Sequence, residues 1–481
     1  DSGKRLGAMR AAKMLLDCVE LLEKHIYNAF EGTASLPDVS KSSLVFFAGN
    51  RKVCEGWFDR IKPKLAKSSM VCNVFESAVR CSFQCIKRVM RSSRSAEPEA
   101  KKRVWYEIES HLLRASRALC VQREADSMQG ITNWSRGLLK QKFKDAIHPA
   151  TLSWMPATVA HTLGRYEYAI GEYAKIMSSD YFQYMQPCAV EFVVDQMTEC
   201  YVKLADWAGL AQWLESLKEY RMQFASGHLQ HSFKPDTDAN FLNALCNFEA
   251  GMQVGLQNSE PFVSAGAHLD LAVNADNDDV CISGRLRNSD IVSLRVMVGM
   301  ALDTEPPNVL RQMLQEAKLA LNDPVVATSA ESHRNSTELF VQLRCLQALE
   351  TGIEMAEAGG AVSNPGGVSR QFNDCAIYSH AGLAAEPEFQ DCAPWLRLVR
   401  TLKLLVKCGL MVQDCGQLCL HLSKLARKQQ NFALAERLLN ESGESVLATY
   451  NRALLCYDQN KRGEAMQLLW GLTRQFEGES V

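Results

Sequence analysis

This chain of 481 residues lacks most of the patterns that announce chemistry. It has no Gly-rich phosphate loop of the dinucleotide or Walker type, no His-Glu-x-x-His and no Gly-x-Ser-x-Gly. No Asp-Phe-Gly occurs, and His333-Arg334-Asn335 echoes a kinase catalytic loop without its base. Asp276-Asn277-Asp278-Asp279 lacks calcium-loop spacing and reads as a solvated loop. No catalytic, cofactor-binding or metal-binding residue is therefore expected, nor an active site wholly inside the segment. The apolar runs fall far short of the roughly 18 residues a membrane helix needs. No basic–apolar–small secretory start opens the chain, which begins at Asp1 and reads as a piece of a longer polypeptide.

Disulfide patterning is missing too. The 17 cysteines are odd in number, contain no Cys-x-x-Cys and are scattered along helical stretches. They read as buried thiols in a reducing compartment, the cytoplasm first and the nucleus second. The tightest group is Cys408, Cys415 and Cys419 with His421; a structural zinc would want ligands paired across two elements. Asn133-Trp134-Ser135 and Asn335-Ser336-Thr337 match glycosylation acceptors, but such a chain would not meet that enzyme.

What the chain has is core and helix. Apolar residues make up 47% and charged residues 22%, which excludes a mostly disordered chain. The length corresponds to roughly three domain equivalents. Leu15, Val19, Leu22, Ile26 and Phe30 recur at helical spacing within 6–30, with Arg10 and Lys13 on the other side. Val104, Ile108, Leu112 and Leu119 do the same within 101–123, as do stretches 396–412 and 417–441. No alternating run is long enough for a sheet, so the fold class is all-α. Composition marks connectors at 31–43, 91–100, 255–290, 303–308 and 357–370.

Four stretches share one grammar: a polar or Gly break, a long side chain, then a small or apolar residue three later. They are Gly164-Arg165-Tyr166 with Ala169 and Tyr173, and Ala205-Asp206-Trp207 with Leu210, Trp213 and Leu214. The others are Gln430-Asn431-Phe432 with Ala435, Leu438 and Leu439, and Asn460-Lys461-Arg462 with Ala465, Leu468 and Leu469. This is the turn and second helix of a tetratricopeptide-like hairpin, so a degenerate α-solenoid is expected, with Tyr166, Trp207 and Trp213 in its core. The expected divisions are a basic helical part (1–150), helix pairs (151–254), a part with long loops (255–380) and C-terminal pairs (381–481).

Charge is uneven. Residues 1–150 hold 27 Lys and Arg against 16 Asp and Glu, while 151–481 hold 26 against 39. One basic cluster is Arg80, Lys87, Arg88, Arg91 and Arg94, running into Lys101, Lys102 and Arg103. A second is Arg136, Lys140, Lys142 and Lys144, and a third Lys424, Arg427 and Lys428. Arg88, Arg91, Lys101, Lys102, Arg103, Lys424, Arg427 and Lys428 are candidate contacts to phosphate or an acidic partner. Solvated faces are the plainer reading. RNA is a third, weakened by scarce aromatics: only Trp105, Tyr106 and Trp134 lie nearby. Arg397, Arg400 and Lys403 are placed as surface positions, equally open to partner contacts or to solvent.

LSKLARKQQNFALAERLL (422–439) resembles the signature helix pair of the FAT domain, and CYVKLADWAGLAQWLESL (200–217) resembles its repeat units. The FAT domain is the helical solenoid of phosphatidylinositol-3-kinase-related protein kinases. SLVFFAGNRKVCEGWFDRIK (43–62), DANFLNALCNFEAGM (238–252), PWLRLVRTLKLL (394–405) and NRALLCYDQNKRGEAMQLL (451–469) are most similar to the branch serving nonsense-mediated mRNA decay. The resemblance implies a noncatalytic clamp around a downstream Ser/Thr kinase domain, docking accessory subunits of the decay kinase complex. It implies that the parent phosphorylates the pathway's RNA helicase at Ser/Thr-Gln sites, with ATP and magnesium held only by the kinase domain. Some relatives hold an inositol polyphosphate in a basic solenoid pocket, which makes the basic clusters candidates for one. No membrane contact and no direct RNA contact are implied. The rival readings are a free-standing peptide-docking module and an RNA-binding protein using the first 150 residues.

Overall fold

The computed structural model describes residues 2–31, 40–92, 97–179, 183–223, 239–274, 284–322, 325, 333–357, 391–410 and 415–478. Among them are twenty α-helices and no strand. The first six are α1 (Ser2–Glu31), α2 (Lys41–Gly49), α3 (Arg51–Val71), α4 (Phe75–Ser92), α5 (Pro98–Gln122) and α6 (Ala125–Leu138). A π-helical turn (Leu139–Phe143) and a 3-10 turn (Pro149–Leu152) lead to α7 (Trp154–Thr162), α8 (Tyr166–Met177), α9 (Pro187–Leu204) and α10 (Trp207–Gln223). Then come α11 (Ala239–Val254), α12 (Glu260–Asn274), α13 (Gly284–Leu302), α14 (Pro307–Ala320) and α15 (His333–Glu357). The last five are α16 (Ala393–Lys407), α17 (Gly416–Lys428), α18 (Phe432–Glu441), α19 (Val446–Asp458) and α20 (Arg462–Gly478).

Local chemistry sets the ends. Pro occupies the first turn of α5, α9, α14 and α16, where its missing N–H is not needed. The Ser445 hydroxyl caps α19 by accepting from the Ala448 N–H at 3.1 Å. Ser445→Ala should cost about 1 kcal/mol in chemical denaturation, with the effect confined to the last helix pair. The four repeat breaks have one backbone cause. Gly164, Ala205, Gln430 and Asn460 all take the left-handed conformation, with φ of 77°, 48°, 62° and 63°. Such a residue ends a helix and turns its last carbonyls onto the next N–H groups.

Consecutive helices pack as pairs: α3–α4, α4–α5, α7–α8, α11–α12, α13–α14, α15–α16, α17–α18 and α19–α20. The fold is an all-α solenoid of such pairs. One core runs from α4 through α10 and resumes in α15–α19. A second fills α11–α15, with Leu404 of α16 packed into it. Tyr166 and Trp213 are core residues, while Trp207 is half-buried beneath the Arg400 guanidinium, 4.8 Å from its ring centre.

Two expectations change. Residues 255–290 are not one connector, because Phe262, Ala265, Leu269 and Ala272 form a fully buried stripe on α12. The Gly, Asn and Asp content of the stretch masked that period. Helix α1 turns only part of the expected stripe inward: Ile26 is buried, as is Leu16 outside the stripe, and Val19 is half-buried, whereas Leu15 is 65% and Leu22 40% exposed. Residues 32–39, 93–96 and 358–370 of the other proposed connectors lie outside the described residues, as do Arg94 and Asp276–Asp279.

Candidate functional site

The second core interrupts a longer-range closure. The turn between α17 and α18 docks on the turn between α7 and α8, more than 260 residues away. Asn431 donates to the Gly164 carbonyl at 2.8 Å and accepts from the Glu167 N–H at 3.3 Å. The Glu167 carboxylate returns the contact, accepting from the Leu434 N–H at 2.9 Å in the first turn of α18. A carboxylate there meets both free N–H groups and the positive end of the helix dipole. Burial nevertheless pushes the Glu167 carboxyl up, against the α18 N–H groups that lower it. Gly164 has no space for a Cβ, because the Arg123 guanidinium fills it. That guanidinium donates to the Leu163 carbonyl at 3.3 Å, which ties the end of α5 into the same knot.

Beside the turns lies a half-buried ion pair. Asp391, just before α16, accepts from Lys203 of α9 at 2.6 Å and from the Tyr166 hydroxyl at 3.1 Å. Its second oxygen accepts from the Ala393 N–H at 3.1 Å. Burial alone would raise this carboxyl; Lys203 and Arg123 overcome burial and hold it well below the usual carboxylate range. Burial would lower the Lys203 ammonium, but Asp391 and its neighbours hold it above its ordinary value.

A cavity of about 90 Å³ follows, lined among others by Lys203, Trp207, Asp290, Gln342, Arg397 and Arg400. Each cation on it has its own carboxylate. Arg397 meets Asp290 at 3.5 Å and Glu338 at 3.3 Å, and Arg400 pairs with Glu249. Lys403 pairs with Glu441 at 2.8 Å. The placement of Arg397, Arg400 and Lys403 as surface partner contacts is thus corrected: all three bind neighbouring helices of their own chain. Periodicity along 394–405 could not reveal acids supplied by α11, α13, α15 and α18. With every cation matched, the cavity has no surplus charge for an anion, and its chemistry is that of a helix junction.

His161, Cys200 and Glu199 also stand in line, with Cys200 Sγ 3.3 Å from Nδ1 and Glu199 4.0 Å from Nε2. This order imitates a nucleophile–base–acid set. Burial pushes the thiol up and the imidazole down, so both are neutral, and the group serves as packing.

The candidate basic residues fall into two places. Arg88 and Arg91 end α4, and Lys101, Lys102 and Arg103 begin α5, at one end of a helix hairpin. Arg88 is engaged within the chain, donating to the Asp59 carbonyl at 2.6 Å. Arg91 and Arg103 are exposed, and Lys102 lies 5.9 Å from the Tyr106 ring centre. Lys424, Arg427 and Lys428 lie on α17, where Arg427 pairs with Asp458 of α19. The thiols near them do not converge: Cys419 lies 4.0 Å from Cys415, while Cys408 points to the Met300 carbonyl of α13 at 3.9 Å.

The family model described as "Serine/threonine-protein kinase smg-1" matches residues 2–252, just over half of the chain. The chain belongs to this SMG1 serine/threonine-protein kinase family. Serine/threonine-protein kinase SMG1 of Danio rerio is 24% identical over 523 aligned residues, covering 92% of this chain and 13% of the relative. Serine/threonine-protein kinase Smg1 of Drosophila melanogaster is 24% identical over 447, covering 89% and 12%. Probable serine/threonine-protein kinase smg1 of Dictyostelium discoideum is 22% identical over 233, covering 44% and 10%. The chain spans about an eighth of the length of the first two SMG1 relatives. The junction residues Glu167, Lys203 and Asp391 escaped sequence reading. Asn431 was read only as part of a hairpin break, and the shared grammar of 164–166 and 430–432 gave no hint that the two turns touch.

Proposed function

We propose that this chain is a noncatalytic, FAT-type scaffold of an SMG1-like kinase, clamping a kinase domain elsewhere in the same polypeptide and docking accessory subunits. The observation that carries this reading is the closure of α17–α18 onto α7–α9. A simple solenoid contacts only its neighbours in sequence and flexes along its length. A solenoid tied back on itself through Asn431, Glu167 and Asp391 resists that flexing and can hold a second domain in one position. The parent protein would transfer phosphate from ATP to Ser/Thr-Gln sites of the decay pathway's RNA helicase, in the cytoplasm and nucleus.

The hairpin end with exposed Arg91 and Arg103 and half-buried Lys101 and Lys102 is, among the described residues, suited to an inositol polyphosphate, whose clustered charge needs several cations. Arg427 is less suited, since Asp458 occupies it.

The test uses the purified chain, magnesium–ATP and a Ser-Gln peptide. No phosphotransfer above the buffer rate is expected, while the full-length kinase phosphorylates the peptide. Turnover by the chain alone that survives repurification would overturn the scaffold reading.

A further inference from the structure

The second basic cluster is built differently from the first. From α6 through the π-helical turn, buried and exposed residues recur every four positions. Ser135, Leu139, Phe143 and Ile147 are buried, at 0%, 3%, 4% and 6% exposure. The residue after each, Arg136, Lys140, Lys144 and His148, is exposed. In an α-helix of 3.6 residues per turn a four-residue repeat drifts around the axis. The π-helical turn holds more residues per turn and opposes that drift within its own span, Leu139–Phe143. Beyond it the chain leaves the helix, and His148 takes an extended backbone with φ −72° and ψ 138°.

Arg136, Lys140 and Lys144 are like charges at i, i+4 and i+8, an arrangement that disfavours an isolated helix. No side-chain partner within the described residues offsets it. The row ends on a feature that local sequence could not show: His148 stacks on Tyr184, with ring centres 4.0 Å apart and planes 20° from parallel. Tyr184 is 44% exposed and is carried in from beyond α8.

We propose that this row binds single-stranded RNA, with Arg136, Lys140 and Lys144 on successive phosphates and the His148–Tyr184 stack receiving a base. Regular unpaired cations ending on an exposed aromatic stack are what a sequence-tolerant single-strand binder requires. An acidic peptide would be served by the charges and would have no use for the rings. Scarce aromatics weakened an RNA reading of the sequence, and Tyr184 supplies the missing one.

The test measures anisotropy of a fluorescein-labelled 12-nucleotide oligouridine with the full 481-residue chain across a salt series. Three phosphate contacts on a single strand predict a slope of log affinity against log salt near −2. Lys140→Gln with Lys144→Gln should weaken binding about tenfold and flatten the slope by about 1.4. Tyr184→Ala should weaken it about tenfold at unchanged slope, and Tyr184→Phe should restore it. Circular dichroism checks that each variant is folded. Absence of binding at low salt, or binding indifferent to these substitutions, would overturn the proposal. So would preferential binding of an oligoglutamate that ignores Tyr184→Ala.

Discussion

Asp391→Ala is expected to destabilise the chain by about 2–3 kcal/mol at pH 7. Removing one partner of a buried ion pair leaves the other charge uncompensated, typically at about 3–5 kcal/mol. Here 26% of the Lys203 side chain and 15% of Asp391 remain exposed, so solvent softens the effect. The same substitution frees the Tyr166 hydroxyl and the Ala393 N–H. The pH dependence has a definite sign. The Asp391 carboxyl is held below its unfolded value, so its contribution is complete above about pH 4 and fades as pH falls further. Denaturation of wild type, Asp391→Ala, Lys203→Met and the double variant measures the coupling. The double variant should recover most of the stability. A single-variant cost below about 0.5 kcal/mol would show that the pair is not what holds α9 to α16.

Glu109→Gln is expected to act in the opposite direction. Glu109 of α5 is fully buried, with Gln186 donating to one of its oxygens. Burial pushes its carboxyl up to about 8, with the bond from Gln186 and the nearby Trp154 indole only partly opposing. The folded chain therefore keeps a proton that the unfolded chain releases near pH 4.5. Wild-type stability should fall as pH rises from about 5 to 8, by on the order of 3 kcal/mol, and level off above that. Glu109→Gln cannot ionise, so its profile should lack this fall and its stability should exceed wild type by about 2–3 kcal/mol at pH 8. Parallel profiles for the two proteins would show that this carboxyl does not titrate with folding.

Neither residue was legible in the sequence, although much of the fold was. The helices were readable because periods of three and four recur with little competition, as in Val104, Ile108, Leu112 and Leu119. The hairpin breaks were readable because small or polar residues mark left-handed stops. The 255–290 stretch misled because composition and period conflict there, and buried packing around Phe262 and Leu269 decided the outcome. The junction was not legible. Asp391 and Lys203 lie 188 positions apart, and nothing local distinguishes a surface aspartate from one that will be buried against a lysine. Arg397, Arg400 and Lys403 failed for the same reason: their partners arrive from other helices.

We propose that the α17–α18 return makes this segment a rigid frame for a kinase domain. This is tested most directly by opening the return in the full-length kinase with Glu167→Ala and Asn431→Ala together, then measuring steady-state phosphorylation of a Ser-Gln peptide. Photo-crosslinking from position 430 reports whether the two turns still meet. With the turns apart and protein abundance unchanged, the frame account predicts that kcat falls at least about tenfold (on the order of 1.4 kcal/mol in the barrier). An unaltered kcat in a protein whose turns no longer crosslink would contradict it.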